Sequence, residues 1–197
     1  MDPLHRLSSL FERFPGIGPR QASRFVHYLL RSSPALRTEL VAAIQELSLS
    51  VHQCISCMRF SSSPVDECSL CSKTKRDQTT LAVVASDGDI DALERSNVYD
   101  GRYFVLGGTI SLASEQKHGL RFIGLLQHVD KHKKYAEVIM AFPANPEGDA
   151  TAIRTQDELL AKFPKLKVSM LGRGLSSGSE LEYADSETLR TAIQRRQ

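Results

Sequence analysis

The sequence predicts a multi-module α/β protein: a helical N-terminal segment, a small cysteine segment, an α/β domain on a mostly parallel sheet, and a C-terminal tail with a helix. Three observations carry this. Apolar residues recur at helical spacing up to the first cysteine. All four cysteines then fall in one stretch as two C-x-x-C pairs. Beyond them, short β-branched runs alternate with helical patterns, the order that gives parallel strands covered by helices on both faces.

A chain of 197 residues accommodates one ordinary core and a small appended module. Hydrophobic residues at 41% and charged residues at 24% describe a globular protein, and no apolar run approaches the roughly 18 residues of a membrane helix. The opening MDPLHRL lacks the basic-then-apolar layout of a signal peptide, so a cytoplasmic location without membrane association is expected. The net charge of +2 is unevenly placed: residues 1–40 hold six arginines against Asp2, Glu12 and Glu39. That excess suits a polyanionic partner, the alternative being a solvated helix surface rich in arginine.

Taken in order, Leu4, Leu7, Leu10, Phe11 and Phe14 mark a first helix, Ala22, Phe25, Val26, Leu29 and Leu30 a second, and Leu36, Leu40, Ile44, Leu47 and Val51 a third. Pro15 to Pro19 and Ser32-Ser33-Pro34 form the joints. Thr80–Ala85 reads as a buried strand, and Asp87-Gly88-Asp89 as the cap of a helix through Ile90 and Leu93. Strands follow at Tyr103–Leu106, Glu137–Phe142 and Lys167–Leu171. Helices are marked by Phe122, Ile123, Leu126 and Val129, and by Ile153, Leu160 and Phe163. A last helix carries Leu189 and Ile193, opened by Asp185 or Ser186. His128 and His132, four apart beside Lys131, Lys133 and Lys134, read as a solvated basic helix end rather than a metal pair.

Cys54, Cys57, Cys68 and Cys71 form two C-x-x-C knuckles separated by ten residues. Each knuckle aims two thiolates at one point, and two knuckles close a tetrahedral four-sulfur site of the structural zinc type. The rival readings are a redox dithiol and a pair of disulfides. No strand-to-helix pattern surrounds either knuckle, and nothing indicates an oxidising compartment. Four thiolates leave no open coordination position, so the zinc is structural. His52 precedes the first knuckle and reads as a surface or packing residue.

The stretch FPGIGPRQASRF concentrates the features of a phosphate contact. Gly16 and Gly18 permit positive backbone angles and an open backbone in a tight turn between helices. Pro19 suits the first helical position, leaving the following amides pointing outward at a helix N-terminus. Arg20 and Arg24, four apart, share one side of that helix. The arrangement looks like a helix-hairpin-helix, which grips nucleic-acid backbone without reading sequence; an ordinary helical hairpin with closely packing glycines is the alternative.

VIMAFPANPEGDAT places Glu147 and Asp149 after an apolar strand, where phosphate-handling enzymes hold divalent metals.

The order of parts resembles the bacterial recombination mediator RecR family over nearly the whole chain. The matching residues are FPGIGPRQASRF, CISC with CSLC and Lys75-Arg76-Asp77, VLGG (105–108), EGDATA (147–152) and LEYAD (181–185). The resemblance implies a helix-hairpin-helix DNA-binding module at 1–53, a four-cysteine zinc finger at 54–78, a Toprim-type α/β domain at 79–171, and a C-terminal tail and helix at 172–197. It also implies a non-catalytic protein that forms homo-oligomers, a dimer or a tetramer ring acting as a DNA clamp. Such proteins work with RecO, and in many bacteria RecF, to help RecA displace single-strand-binding protein at gaps. The family's DNA-binding basic residues map onto Arg20 and Arg24, and its acidic partner contact onto Glu147 and Asp149.

The chain departs from that pattern in four places. A Toprim first strand usually ends in a glutamate, whereas this one reads Val83-Val84-Ala85-Ser86. Asn145-Pro146 stands two places later than the family's Asn-Pro. The stretch after VLGG is not rich in Pro and Gly. Ser176, Ser177 and Ser179 replace the usual Pro, small apolar residue and Gly. Losing the first-strand glutamate argues against a magnesium-dependent Toprim enzyme, the main rival, and no magnesium site is expected. An adaptor that does not touch DNA is the other rival. No Gly-Lys-Ser/Thr loop supports ATP hydrolysis.

Overall fold

The computed structural model describes residues 2–112, 119–172, 174, 175, 178, 180–184 and 186–194. Residues 113–118, Ser176, Ser177, Ser179 and Asp185, singled out above, lie outside the described residues. The chain divides into two compact units, Met1–Val51 and His52–Gln197.

The first unit holds α1 (Pro3–Phe11), α2 (Pro19–Arg31) and α3 (Pro34–Ser50), each with proline in its first turn, where the missing N–H costs nothing. Asp2 caps α1 by accepting from the Leu4 and His5 amides, and Ser33 caps α3 by accepting from Leu36 N at 3.2 Å. The edge of Phe11 meets Phe25 at 5.7 Å between centroids, and Ala22 and Val26 are buried on the same helix. Arg37 closes the end of α2, donating from Nη1 to the carbonyls of Leu29 (3.0 Å) and Ser32 (2.6 Å). The apolar positions of α3 do not form the covered face expected of them: Leu36, Leu40, Ile44 and Leu47 are exposed, and no α3 residue is buried. Three short helices make too small a core to cover every apolar stripe.

In the second unit, β1 (His52–Gln53) and β2 (Phe60–Ser61) pair as a small antiparallel hairpin. Then follow β3 (Thr80–Val84), α4 (Asp87–Ser96), β4 (Arg102–Val105), α5 (Phe122–Lys131), β5 (Glu137–Ala141), α6 (Pro146–Lys162) and β6 (Lys167–Met170). A 3-10 turn (Leu181–Tyr183) and α7 (Ser186–Gln194) end the described chain. The sheet runs β4-β3-β5-β6 with every pairing parallel.

Strand alternation sorts side chains to the two faces of the sheet. Leu81, Val83, Phe104, Val138 and Met140 join Leu125 and Val129 of α5 and Ala152 and Leu159 of α6 in one cluster. Ala82, Val84, Tyr103 and Val105 join Ile90 of α4 in the other, and the four cysteines belong to that same cluster. The cysteine segment therefore covers part of the sheet.

That segment is anchored by three kinds of bond. Val105 N donates to the Cys57 carbonyl at 2.8 Å, so the first knuckle hangs on β4. Arg59 reaches Asp91 of α4 at 2.7 Å, and Asp87 accepts from Phe60 N at 2.8 Å. Arg76 forks onto Glu94, Nη2–Oε1 2.5 Å and Nη1–Oε2 3.1 Å, with the Tyr103 hydroxyl donating to Oε1 at 2.6 Å.

The cap of α4 differs in detail from the expectation. Ser86 is the N-cap, and Asp89 at the third helical position reaches back to accept from Ser86 N (2.8 Å) and Oγ (3.0 Å). His128 is not a solvated helix end. Its ring lies 5.4 Å from that of Phe104 and its Nε2 bonds the Tyr135 hydroxyl at 2.9 Å. Burial, reinforced by the nearby His132 and Lys131, pulls its pKa down to about 4.

Candidate functional site

The hairpin is built from a specific turn. Ile17 N donates to Phe14 O at 3.1 Å across Pro15-Gly16, and Gly16 takes φ +76°, which is a type II turn with proline and glycine in their favoured places. Gly18 does not use the positive angle that glycine permits. It is extended at φ −88°, ψ 172°, and serves as the N-cap of α2.

A glycine cap has no side chain to bond the first amides, whereas Asp2, Ser33 and Asn145 cap α1, α3 and α6 with theirs. The start of α2 is thus left without a side-chain cap, and nothing lies within 4 Å of where a Cβ would stand on Gly16 or Gly18. An anionic oxygen is the natural partner for such an end. Arg20 and Arg24 are exposed on the following turns, with Arg24 Nη1 3.5 Å from Gln21 Oε1. Pro19 has no N–H and the Gln21 and Ala22 amides both donate to Gly18 O at 3.0 Å, so the first turn offers the Arg20 amide together with the Arg20 and Arg24 guanidinium groups on one short segment of helix.

The four cysteines converge. Their sulfurs lie within 4.8 Å of one another, with Cys57 and Cys68 at 3.6 Å. A tetrahedral site with metal–sulfur bonds of about 2.3 Å needs sulfur separations of about 3.8 Å, so the donor set fits a metal ion. The knuckles repeat one backbone pattern: Met58 N donates to Cys54 O (2.9 Å) and Ser72 N to Cys68 O (3.1 Å). Met58 takes φ +62°, and Cys68 N points at Cys54 Sγ at 3.3 Å.

Among the thiols themselves, Cys54 is held low in pKa by hydrogen bonds from Cys57, Cys68 and Cys71. Cys57 and Cys71 are pushed up, chiefly by their bonds to Cys54. The thiols cannot all ionise together without a cation to balance them, and a bound divalent ion would do so. The chain can bind a metal ion here. His52 stands apart, its Nε2 3.0 Å from Val65 O.

Glu147 and Asp149 lie in the first turn of α6, where carboxylates complement the helix dipole. Asn145 caps this helix by accepting from Gly148 N at 2.7 Å, and Pro146 is its first residue. Gly148 is required, because a Cβ there would run into the Pro143 carbonyl oxygen. The Glu147 carboxylate accepts from Leu112 N at 3.2 Å. The buried Thr151 accepts from Ile110 N at 2.8 Å while donating to Glu147 O at 2.6 Å. This turn therefore holds the loop that leaves β4.

Val84 pairs in register with both Val105 and Ala141, so Ala85, the VLGG turn and the Glu147 turn all lie at the carboxyl ends of the strands. The order reverses about β3, with β4 on one side and β5 on the other, and such reversals form crevices in open α/β sheets. The sequence places no carboxylate at Ala85, whose carbonyl accepts from Gly107 N at 3.1 Å. Asp87 and Asp89 are engaged with the cysteine segment and the α4 cap.

Among the described residues, the cysteines are the one group of three or more His, Cys, Asp or Glu side chains close enough to hold a metal together. Residue patterning did not reveal the docking of the cysteine segment on the sheet. Its one signal was Lys75-Arg76-Asp77: Arg76 forks Glu94, and Asp77 accepts from Thr79 N at 2.8 Å and from the hydroxyls of Thr79 and Thr80, each at 2.7 Å.

Comparison with known proteins agrees with this arrangement. The Toprim domain model matches residues 79–172, and the model described as RecR, C-terminal matches 174–197. "Recombination protein RecR" of Prochlorococcus marinus (strain MIT 9312) is 38% identical over 195 residues, covering 98% of this chain and 95% of that protein. The chain belongs to the RecR family.

The RecR of Myxococcus xanthus (strain DK1622) is 36% identical over 196 residues, covering 99% of this chain and 97% of its own length. That of Chloroflexus aggregans (strain MD-66 / DSM 9485) is 38% identical over 196 residues, with 98% and 93% covered. Membership in this family makes the chain a recombination protein. Among the described residues, no helix is long and apolar enough to cross a membrane.

Proposed function

We propose that this RecR-family chain is a non-catalytic mediator of recombinational DNA repair. Its hairpin grips DNA backbone, and its acidic α6 turn docks a partner protein. The observation that carries the DNA reading is the start of α2: an N-terminus capped only by Gly18, followed by the exposed Arg20 and Arg24. Contacts of this kind are made to phosphate, so binding is independent of sequence and weakens as salt rises.

The modules in this reading are the DNA-binding hairpin at 1–53, the zinc finger at 54–78, the Toprim domain at 79–171 and the tail at 172–197. Zinc is the metal of choice for Cys54, Cys57, Cys68 and Cys71, because four thiolates in a closed tetrahedron favour it and its role is then to fold the finger. Glu147 and Asp149 serve as the RecO contact. The chain assembles as a dimer or tetramer ring around DNA and acts in the cytoplasm with RecO, and with RecF where present, to load RecA on gapped DNA.

The absence of catalysis is supported by Ala85 at the position where a Toprim enzyme uses a glutamate, and by the commitment of Asp87, Asp89 and Glu147 to backbone contacts. The test is RecA assembly on single-stranded DNA coated with single-strand-binding protein, with RecO, in the presence and absence of the zinc-loaded chain. Faster RecA assembly with intact DNA is the expected result. Magnesium-dependent cleavage of the DNA, or no effect on RecA assembly, would overturn the reading.

A further inference from the structure

The DNA face of α2 continues beyond its two leading arginines. Arg24, His27, Tyr28 and Arg31 recur at i, i+3, i+4 and i+7, one helix face, and together line an open groove of about 370 Å3. From Arg20 to Arg31 the stripe runs about 16 Å along the helix. Its chemistry is cationic at intervals, with the rings of His27 and Tyr28 between Arg24 and Arg31.

Phe14 and Phe25, also exposed at 58% and 41%, each pack against Phe11 with centroids 6.1 and 5.7 Å away, whereas Tyr28 is 65% exposed and lines the groove. An exposed tyrosine alone means little. Flanked by Arg24 one turn before and Arg31 one turn after, it has the layout by which proteins hold a single strand: basic groups on phosphates and a ring on which a base stacks. Duplex DNA offers its phosphates to the arginines but keeps its base faces stacked inside.

We propose that Tyr28 is a stacking platform for one unpaired nucleobase, with Arg24 and Arg31 on the neighbouring phosphates, so that this face of α2 prefers single-stranded DNA to duplex. The inference rests on the hairpin's reading as a DNA contact and adds to it the class of DNA and the group that selects it.

The experiment uses the full-length, zinc-loaded protein and fluorescence anisotropy with a labelled oligo-dT, an abasic oligomer of the same length and a duplex of that length. Tyr28→Ala weakens oligo-dT binding by about 5- to 100-fold, the range of a lost base–aromatic stack. It leaves duplex and abasic binding within about twofold of the parent, a change too small to include a lost stack. Tyr28→Phe, which keeps the ring, binds oligo-dT like the parent. Equal losses on all three ligands, or no loss on oligo-dT, would overturn the role of Tyr28 while leaving the hairpin's DNA contact standing. Failure of the parent protein to bind either single strand or duplex would overturn both.

Discussion

The carboxylate of Glu147 accepts the backbone N–H of Leu112 at 3.2 Å, so the acidic turn of α6 is fastened to the loop that follows β4. In a metal-dependent Toprim enzyme this carboxylate would be matched by one at the end of the first core strand, where Ala85 stands here. A half-buried glutamate holding a loop is suited to presenting a negative surface of fixed shape.

Reversing that charge separates the two proposed surfaces. Glu147→Lys weakens RecO binding by about tenfold or more through like-charge or unpaired-charge contact. Its affinity for DNA changes by less than about twofold, because the DNA contacts are proposed to be made by Arg20 and Arg24. Calorimetry with RecO and anisotropy with DNA check the pair of outcomes, and a larger loss on DNA than on RecO would contradict the assignment.

Removing the proposed zinc is expected to affect more than the cysteine segment. The four cysteines share a hydrophobic cluster with Ala82, Val84, Tyr103 and Val105, and Cys57 O holds Val105 N. Structural zinc sites contribute on the order of 10 kcal/mol. Chelation therefore unfolds residues 54–71 and also exposes β4 amides to hydrogen exchange, with proton uptake by the freed thiolates. A melting temperature unchanged by chelation would show that the cysteines hold no structural metal.

The Arg76–Glu94 fork makes folding sensitive to acid. Arg76 holds the Glu94 carboxyl below its usual range, so the folded chain resists protonation more than the unfolded one. Stability from this pair is present above the ordinary glutamate pKa and is lost as pH falls through the lower folded value. Glu94→Gln costs about 2 kcal/mol at neutral pH, since it leaves a largely buried guanidinium with a neutral partner. Denaturant titrations of both proteins at neutral and acidic pH check this, and the difference between them shrinks on acidification.

Gly148→Ala tests the geometry of the α6 start. The added methyl collides with the Pro143 carbonyl oxygen, so the turn must open at a cost of about 1–3 kcal/mol. Thermal melting reads this directly, and if Glu147 is the RecO contact proposed above, RecO binding falls in parallel because the two residues are adjacent.

Much of this was legible in residue patterning because it rests on local chemistry. Pro19 and Gly16 specify a turn and a helix start, and paired C-x-x-C knuckles specify convergence of sulfur. The alternating runs at Thr80, Tyr103, Glu137 and Lys167 specify strands. What escaped depends on distant partners. Arg59 meets Asp91 and Arg76 meets Glu94 across the docked finger, contacts that no spacing rule encodes. The two-residue strands β1 and β2 are too short to carry a period. The residue pattern permits a positive angle at both glycines, but Gly16 alone uses it to make the turn, and Gly18 serves as a cap without a side chain. The charged neighbours of His128 suggest a solvated helix end, but its ring packs against Phe104 of β4 and Tyr135 of the loop after α5.

Whether the opening of α2 holds DNA phosphate is read from DNA affinity against salt for the parent and the Arg20→Ala, Arg24→Ala double variant. The double variant is expected to melt at the parent's temperature, bind DNA far more weakly regardless of sequence, and show a salt slope reduced by about two. Equal affinity and an equal slope in a folded double variant would contradict that contact.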